Sequence, residues 1–163
     1  MNIDLIPIEP VAPQSNTNGA FDLSTTPAHL VSLIEQVIAA QIALYARTAA
    51  TAPWIGYFAR RADTGAILGS CSFVGPPKDG QVEIAYFTFP DFEGRGVARQ
   101  AASRLIEKAK QSGAVSIVYA HTLPAKGAST RILTRLGFAQ TGLAHDDEAG
   151  TVWRWELDLS GPG

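Results

Sequence analysis

A glycine-containing segment between two regular elements carries the first chemical signal, Glu93-Gly94-Arg95-Gly96-Val97-Ala98. It follows the β-branched and aromatic run of residues 82–89, typical of a buried strand, and precedes apolar residues at helical spacing. The first N–H groups of a helix have no partner inside it, so small neighbouring residues leave those donors free to bind phosphate or pyrophosphate. Arg95 and Arg99 would add positive charge nearby. The same local pattern fits a tight strand-to-helix turn that binds no ligand.

A carboxylate on the preceding strand is the candidate for proton transfer. Alternation along the strand places Glu83 on one face with apolar residues such as Ala85 and Phe87. Desolvation would raise its pKa toward the range in which a carboxylate accepts a proton near neutral pH, directly or through a water. The alternative is a structural carboxylate that pairs with an arginine or faces solvent at the strand start.

The histidines indicate no metal site. His29, His121 and His145 lack helical spacing and convergent cysteine or carboxylate partners, so we expect no metal cofactor. His121 stands at a strand end near the predicted cleft and is a candidate for contact with a substrate. No nucleophile-and-base constellation stands out by spacing.

A mixed sheet must position these residues. The patterns predict helices over residues 27–47, 96–111 and 126–136, and strands over 2–9, 54–61, 66–74, 82–89, 114–121, 138–144 and 151–159. The strand–helix–strand unit over 82–121 predicts one parallel pair in a mostly antiparallel sheet, an α/β fold of the mixed α+β kind with helices on both faces. Residues 10–25 are predicted to be a loop, and residues 160–163 a loose tail.

Composition limits the partners and the compartment. The 163 residues, 46% of them hydrophobic, are enough for a single domain spanning residues 1–163. A net charge of −2 without a basic cluster argues against nucleic acid as a partner. With one cysteine, no signal peptide and no stretch approaching a membrane span, we expect a cytoplasmic protein with no membrane partner. Trp153 and Trp155 share a strand face, which suits core packing or a contact in a homodimer.

Two segments together resemble the GNAT superfamily of acyl-CoA-dependent N-acetyltransferases, in particular its ribosomal-protein N-terminal type. They are Pro90-Asp91-Phe92-Glu93-Gly94-Arg95-Gly96 and residues 121–138, which read His-Thr-Leu-Pro-Ala-Lys-Gly-Ala-Ser-Thr-Arg-Ile-Leu-Thr-Arg-Leu-Gly-Phe. The first is similar to the family's pyrophosphate loop, and the second is similar to the strand–helix unit that follows it. A Val-Glu-Ile-x-Tyr strand, present here at residues 82–86, is shared with the ribosomal-protein type.

The resemblance implies a GNAT-like fold in which the two parallel strands separate and acetyl-CoA, as cosubstrate, enters the gap. Backbone groups of Thr88 and Phe89 would hydrogen-bond its pantetheine arm. The pyrophosphate would lie on the loop and first helical turn formed by Gly94, Arg95, Gly96, Val97, Ala98 and Arg99. Two positions depart from the family pattern. Glu93 stands where the family has Gln or Arg, and Lys126 stands where it has Asn, either to meet a phosphate or to lie in solvent.

The resemblance further implies direct attack of a primary amine on the thioester in a ternary complex. Glu83 would be the base, and Ser129 would lie near the sulfur as a proton donor or serve only as a small residue for helix packing. The tyrosine that many members carry four residues later is replaced by Leu133. The acceptor would be a small-molecule amine or a protein N-terminus, bound by parts of residues 10–50 and the loop 144–150.

Two other function classes remain open. A GNAT-fold module that binds or senses acyl-CoA with little catalysis is compatible with Glu93, Lys126 and the missing tyrosine. A dinucleotide-binding oxidoreductase built on Gly94-Arg95-Gly96 fits poorly, because the third glycine position is Arg99 and the next strand ends without an acidic residue.

Overall fold

Seven strands and three helices form the computed structural model, which describes residues 1–10 and 23–160. The described strands are β1 (Ile3–Pro7), β2 (Gly56–Arg61), β3 (Ile67–Phe73), β4 (Gln81–Thr88), β5 (Ile117–Thr122), β6 (Ala139–Asp146) and β7 (Gly150–Asp158). The helices are α1 (Ala28–Thr48), α2 (Val97–Ser112) and α3 (Ala128–Arg135), and a 3₁₀ turn spans Pro90–Phe92. Every predicted helix and strand is present, with its ends within three residues of the prediction. Most of the predicted loop 10–25 lies outside the described residues.

The strands form one mixed sheet in the order β1-β2-β3-β4-β5-β7-β6. Neighbouring strands are antiparallel except β4 and β5, which are parallel. Pairing of β4 with β5 runs from Gln81 opposite Ile117 to Glu83 opposite Tyr119 and ends there, although both strands continue. The two strands therefore separate beyond Glu83. This sheet, with one splayed parallel pair, confirms the predicted fold class.

Helices cover both faces of the sheet. The buried stripe of α2, which includes Ala102 and Leu105, packs in one cluster with Val82 and Ile84 of β4. On the other face, α1 buries Ile34 and packs in a second cluster with residues of β2 and β3 and with Phe89, which follows β4. Because successive strand residues point to opposite faces, β2 contributes to both clusters. The burial of apolar area between helices and sheet stabilises this arrangement.

Glycines in the left-handed region of backbone conformation flank α2 at both ends. Gly96 is its N-cap with φ +80°, and Gly113 is its C-cap with φ +70°. A residue with a Cβ atom is strained in this region, so glycine is the favoured residue at both positions.

A glycine in the left-handed region also ends α3. Gly137 has φ +95° and follows the last turn of α3. The N–H of Phe138 donates to the carbonyl of Leu133 (2.9 Å), and that of Gly137 donates to the carbonyl of Thr134 (3.1 Å). These two bonds form a Schellman motif, which satisfies the last carbonyls of the helix.

Helix α1 corrects one sequence expectation. It has 21 residues and a mean hydropathy of 1.4 over its most apolar window, so by length and composition alone it could cross a membrane. The expectation that no stretch approaches the length of a membrane span is therefore wrong. Its residues at helical spacing, Leu30, Ile34, Ile38 and Tyr45, are buried, which is the pattern of a helix packed on a sheet.

Candidate functional site

A large cavity lies where β4 and β5 separate. Its volume is about 1010 Å³. Three elements line it: the end of β4, the loop with the start of α2, and one side of α3. The lining residues are Tyr86, Phe87 and Thr88, then Glu93, Gly94, Arg95, Gly96, Val97, Ala98 and Arg99, and finally Ala128, Ser129, Arg131, Ile132 and Arg135.

The start of α2 presents backbone donors to this cavity. The first backbone hydrogen bond of the helix joins the N–H of Gln100 to the carbonyl of Gly96 (3.1 Å). The amides that precede Gln100 in the first turn thus have no partner within the helix, and no side chain caps it. Gly94 (φ +77°) and Gly96 turn the chain so that the loop approaches the cavity without side-chain bulk. All six residues from Gly94 to Arg99 that the resemblance assigned to pyrophosphate binding line the cavity.

The open edge of β4 differs from the edge that the resemblance implied. The N–H of Phe89 donates to Leu68 on the β3 side (3.0 Å), and its carbonyl accepts from Phe92 (2.9 Å). Both backbone groups of Phe89 are therefore committed within the protein, and its side chain is buried. Since an antiparallel ladder directs alternate residues to opposite sides, the backbone groups of Tyr86 and Thr88 face away from β3, toward the gap. Thr88 keeps its predicted position, and Tyr86 replaces Phe89 as its neighbour along that edge.

The positive charge of the cavity comes partly from residues that sequence reasoning missed. Arg131 and Arg135 of α3 line it together with Arg95 and Arg99. Lys126, for which the sequence left a phosphate contact or a position in solvent open, is exposed and lies outside the lining residues. The i, i+4 spacing of Arg131 and Arg135, which puts both on one face of a helix, was the available signal.

Two hydroxyl-bearing side chains come together at the end of the cavity formed by β4 and α3. Ser129 is exposed in the first turn of α3 and lines the cavity, as does Tyr86. The Tyr86 hydroxyl donates a long hydrogen bond of 3.4 Å to the backbone carbonyl of Ser129. Burial raises the pKa of Tyr86 above its ordinary value, and the hydrogen bond opposes that shift.

Glu83 lies on the opposite face of β4 from Tyr86 and lines a different, smaller cavity of about 240 Å³. The other residues lining that cavity are Val74, Pro76, Lys78, Asp79, Gln81 and Tyr119. The structure thus does not bring Glu83 and Ser129 into one cavity. Glu83 is nevertheless the last residue of β4 that pairs with β5, so the gap between the strands begins beside it.

The carboxylate of Glu83 pairs with a histidine of β5. Its Oε2 lies 3.1 Å from Nδ1 of His121, and their side chains are 23% and 27% exposed. Burial raises the pKa of Glu83, while His121, through its charge and its hydrogen bond, and Arg154 oppose that rise. The buried Nε2 atom of His121 has no hydrogen-bond partner among the described residues. The sequence identified His121 as a candidate but not its contact with Glu83.

Arg154 supports the same face of the sheet from β7. Its guanidinium donates from Nε to Glu156 (2.7 Å) and from Nη2 to Gln81 (2.9 Å). It also lies 3.8 Å above the ring centre of Tyr119. These contacts hold a polar surface of fixed geometry around Glu83. Among the described residues, no cluster of three or more His, Cys, Asp or Glu side chains could hold a metal ion.

Comparison with solved structures identifies the fold. The ribosomal L7/L12 alpha-N-protein acetyltransferase RimL, in its apo form, is 15% identical, with a TM-score of 0.65 over 98% of this chain and 95% of that chain. The ribosomal-protein-S5-alanine acetyltransferase of Vibrio fischeri is 15% identical, with a TM-score of 0.59 over 82% and 72%. The microcin C7 self-immunity acetyltransferase MccE, solved with acetyl-CoA and AMP, is 17% identical, with a TM-score of 0.61 over 76% and 69%.

The family follows from the sequence comparison. No curated protein matches the chain. The family model described as an acetyltransferase (GNAT) domain matches residues 20–139, which include both cavities and every residue assigned to them. The chain therefore belongs to the GNAT acetyltransferase family, whose members use acetyl-CoA as cosubstrate.

Proposed function

We propose that the protein transfers an acetyl group from acetyl-CoA to a primary amine by direct attack in a ternary complex. The observation that carries the proposal is the form of the large cavity. It joins an uncapped helix N-terminus, suited to an anion, to the open edge of a β-strand, suited to an amide-containing chain. Coenzyme A has both chemical features, a pyrophosphate and a pantetheine arm with amide groups.

The donor would bind along the cavity in one direction. Its pyrophosphate accepts hydrogen bonds from the first-turn amides of α2, with Arg95, Arg99, Arg131 and Arg135 supplying positive charge around it. Its pantetheine arm follows the backbone of Thr88 and Tyr86, and the thioester reaches the region of Tyr86 and Ser129. Glu93 is the one acidic residue lining this cavity among those the structure describes.

The acceptor would approach from the opposite face, through the gap that begins at Glu83. An ammonium group must lose a proton before its nitrogen can attack the thioester carbon. Glu83 accepts that proton, directly or through a water, and the burial that raises its pKa makes the carboxylate a stronger base. The nitrogen–carbon bond then forms, the carbon–sulfur bond breaks, and coenzyme A leaves as the thiol after gaining a proton.

A GNAT-fold module that binds acyl-CoA with little catalysis is the second candidate. Two observations favour it: Glu83 and Ser129 line different cavities, and Glu93 brings a carboxylate to an anion site. Under this alternative the large cavity would still bind acetyl-CoA, and no acceptor would be consumed.

Calorimetry and a thiol-release assay test both candidates. We expect the purified protein to bind acetyl-CoA, and to release coenzyme A thiol when a panel of primary amines and short peptides with free N-termini is added. Binding without thiol release for any amine would favour the binding module. No heat of binding at millimolar acetyl-CoA would contradict both functions.

A further inference from the structure

We propose that the Tyr86 hydroxyl is the proton donor to the coenzyme A sulfur as the thioester breaks. The inference rests on the proposed function and adds a catalytic residue to it. It starts from a contact between two elements, in which a side chain of β4 reaches the first turn of α3 across the end of the large cavity.

The ring and the hydroxyl of Tyr86 lie in different surroundings. The ring packs against the main hydrophobic core, and the residue is fixed on β4 by its pairing with Cys71 of β3. The hydroxyl reaches the cavity, where its bond to the Ser129 carbonyl is 3.4 Å long. Hydrogen bonds between oxygens are commonly near 2.7–2.8 Å, roughly, so this one is weak and the hydroxyl can turn to another acceptor.

The other hydroxyls of the cavity are weaker candidates. Thr88 and Ser129 carry aliphatic hydroxyls, which are far weaker acids than a phenol. Leu133, at the position where many family members have a tyrosine, is fully buried and carries no proton to give. Tyr86 is the one phenol that lines the cavity among the described residues.

The proton balance of this step closes without another reactant. The amine nitrogen bonds to the thioester carbon and gives its proton to Glu83 or water. The carbon–sulfur bond breaks, its electron pair goes to sulfur, and the phenol proton moves to that sulfur. Tyr86 then regains a proton from water. Burial raises the pKa of Tyr86, so the group starts each cycle protonated, and the same surroundings disfavour a bare thiolate.

Removing the hydroxyl alone tests the role. With the best acceptor of the amine panel, we expect Tyr86→Phe to lower kcat by about 100-fold, the lower end of what general acid catalysis contributes, with KM for acetyl-CoA within about twofold of wild type. Tyr57→Phe is the matched control, because the Tyr57 hydroxyl also donates to a backbone carbonyl, that of Pro53 (2.8 Å), but lies outside both cavities. Its kcat should equal that of wild type.

Fluorinated tyrosines at position 86 separate proton donation from structural support. Each added fluorine lowers the phenol pKa. A decrease of kcat at high pH should therefore appear, and it should move to lower pH as fluorines are added. Wild-type kcat in Tyr86→Phe, or an unchanged pH profile in the fluorinated enzymes, would overturn the proposal, as would a loss of kcat in Ser129→Ala alone. Failure of the proposed function is distinguishable, since then even the wild-type protein would release no thiol with any amine, and the Tyr86 assignment would fall with it.

Discussion

The two halves of β4 show how one strand comes to serve two different surroundings. The first half, ending at Glu83, pairs with β5 and borders a small cavity that is lined by two carboxylates, one of which contacts His121. The second half, with Tyr86 and Thr88, has lost β5 as a neighbour and borders a cavity four times larger in volume that is lined by arginines. The contrast arises at one point, where the parallel neighbour departs.

Strand separation therefore decides which groups of a strand, side chains or backbone, are available to bind a ligand. Where β5 pairs with β4, backbone groups are satisfied, and only side chains can act. Where β5 departs, the backbone groups on that side of β4 have no strand partner, and cationic residues of α2 and α3 line the same cavity. We therefore expect changes in the first half to affect acceptor chemistry, and changes around the second half to affect donor affinity.

The largest expected effect is at Glu83. Glu83→Gln should lower kcat by about 100-fold because the base is lost, while the Kd of acetyl-CoA stays unchanged. Glu156→Gln is the matched control, since Glu156 lies on β7, is 28% exposed and pairs with Arg154, as Glu83 pairs with His121. Steady-state kinetics and calorimetry measure the two quantities. Equal losses of kcat in both variants would show that activity requires the negative charge of this sheet face and not a base at Glu83.

A comparison of the two glycine caps of α2 tests whether its first turn binds acetyl-CoA. Gly96→Ala and Gly113→Ala introduce a Cβ atom at positive φ at the two ends of α2, and neither Cβ meets a protein atom within 4 Å. Both should lose similar stability, about 1–2 kcal/mol. Only Gly96→Ala should weaken acetyl-CoA, by about tenfold, because its methyl group intrudes on the donors of the cavity. Thermal unfolding and calorimetry check this pair, and equal affinities would mean that the first turn does not bind the pyrophosphate.

A smaller effect is expected from the arginines of α3. Arg131→Gln and Arg135→Gln should each raise the Kd of acetyl-CoA by about two- to fivefold, which corresponds to roughly 0.5–1 kcal/mol for a partly exposed ion pair. Lys126→Gln, which removes an exposed charge outside the cavity, should leave the Kd unchanged. The differences should shrink as salt is added, because exposed charges are screened. A larger loss from Lys126→Gln would support the contact implied by the resemblance.

The smallest expected effect is a shift in pH dependence. Burial already raises the pKa of Glu83, and His121 opposes that rise, so His121→Leu should raise this pKa further. The base must be ionised to act, so the acidic limb of kcat/KM should move to higher pH. His145→Leu, at an exposed position near the β6–β7 turn, should leave the limb in place. A limb that moves to lower pH in His121→Leu would contradict the assigned pairing.

Local sequence patterns predicted most of the fold because the physics behind them is local. Residue alternation and helical spacing depend on neighbours within a few residues, and they located β4 and α2. The length of α1 as an apolar helix was misjudged, because Glu35 and two glutamines interrupt its apolar residues although its average hydropathy is high. The single-domain extent and the cytoplasmic location stay predictions.

For the candidate site, the sequence by itself determined the local conformation of single residues. Gly94 and Gly96 give a loop with little side-chain bulk, and alternation along the strand sets the face on which Glu83 lies. Only the tertiary structure decided which distant groups lie near them. His121 contacts Glu83, 38 residues away, and the Ser129 carbonyl contacts Tyr86, 43 residues away. Arg131 lines the same cavity as the first turn of α2. The tertiary structure also decided that the backbone groups of Phe89 are hydrogen-bonded to the β3 side and to the 3₁₀ turn. Local propensities act through the backbone of adjacent residues, whereas these contacts depend on how the strands diverge and the helices pack, which no short window of sequence contains.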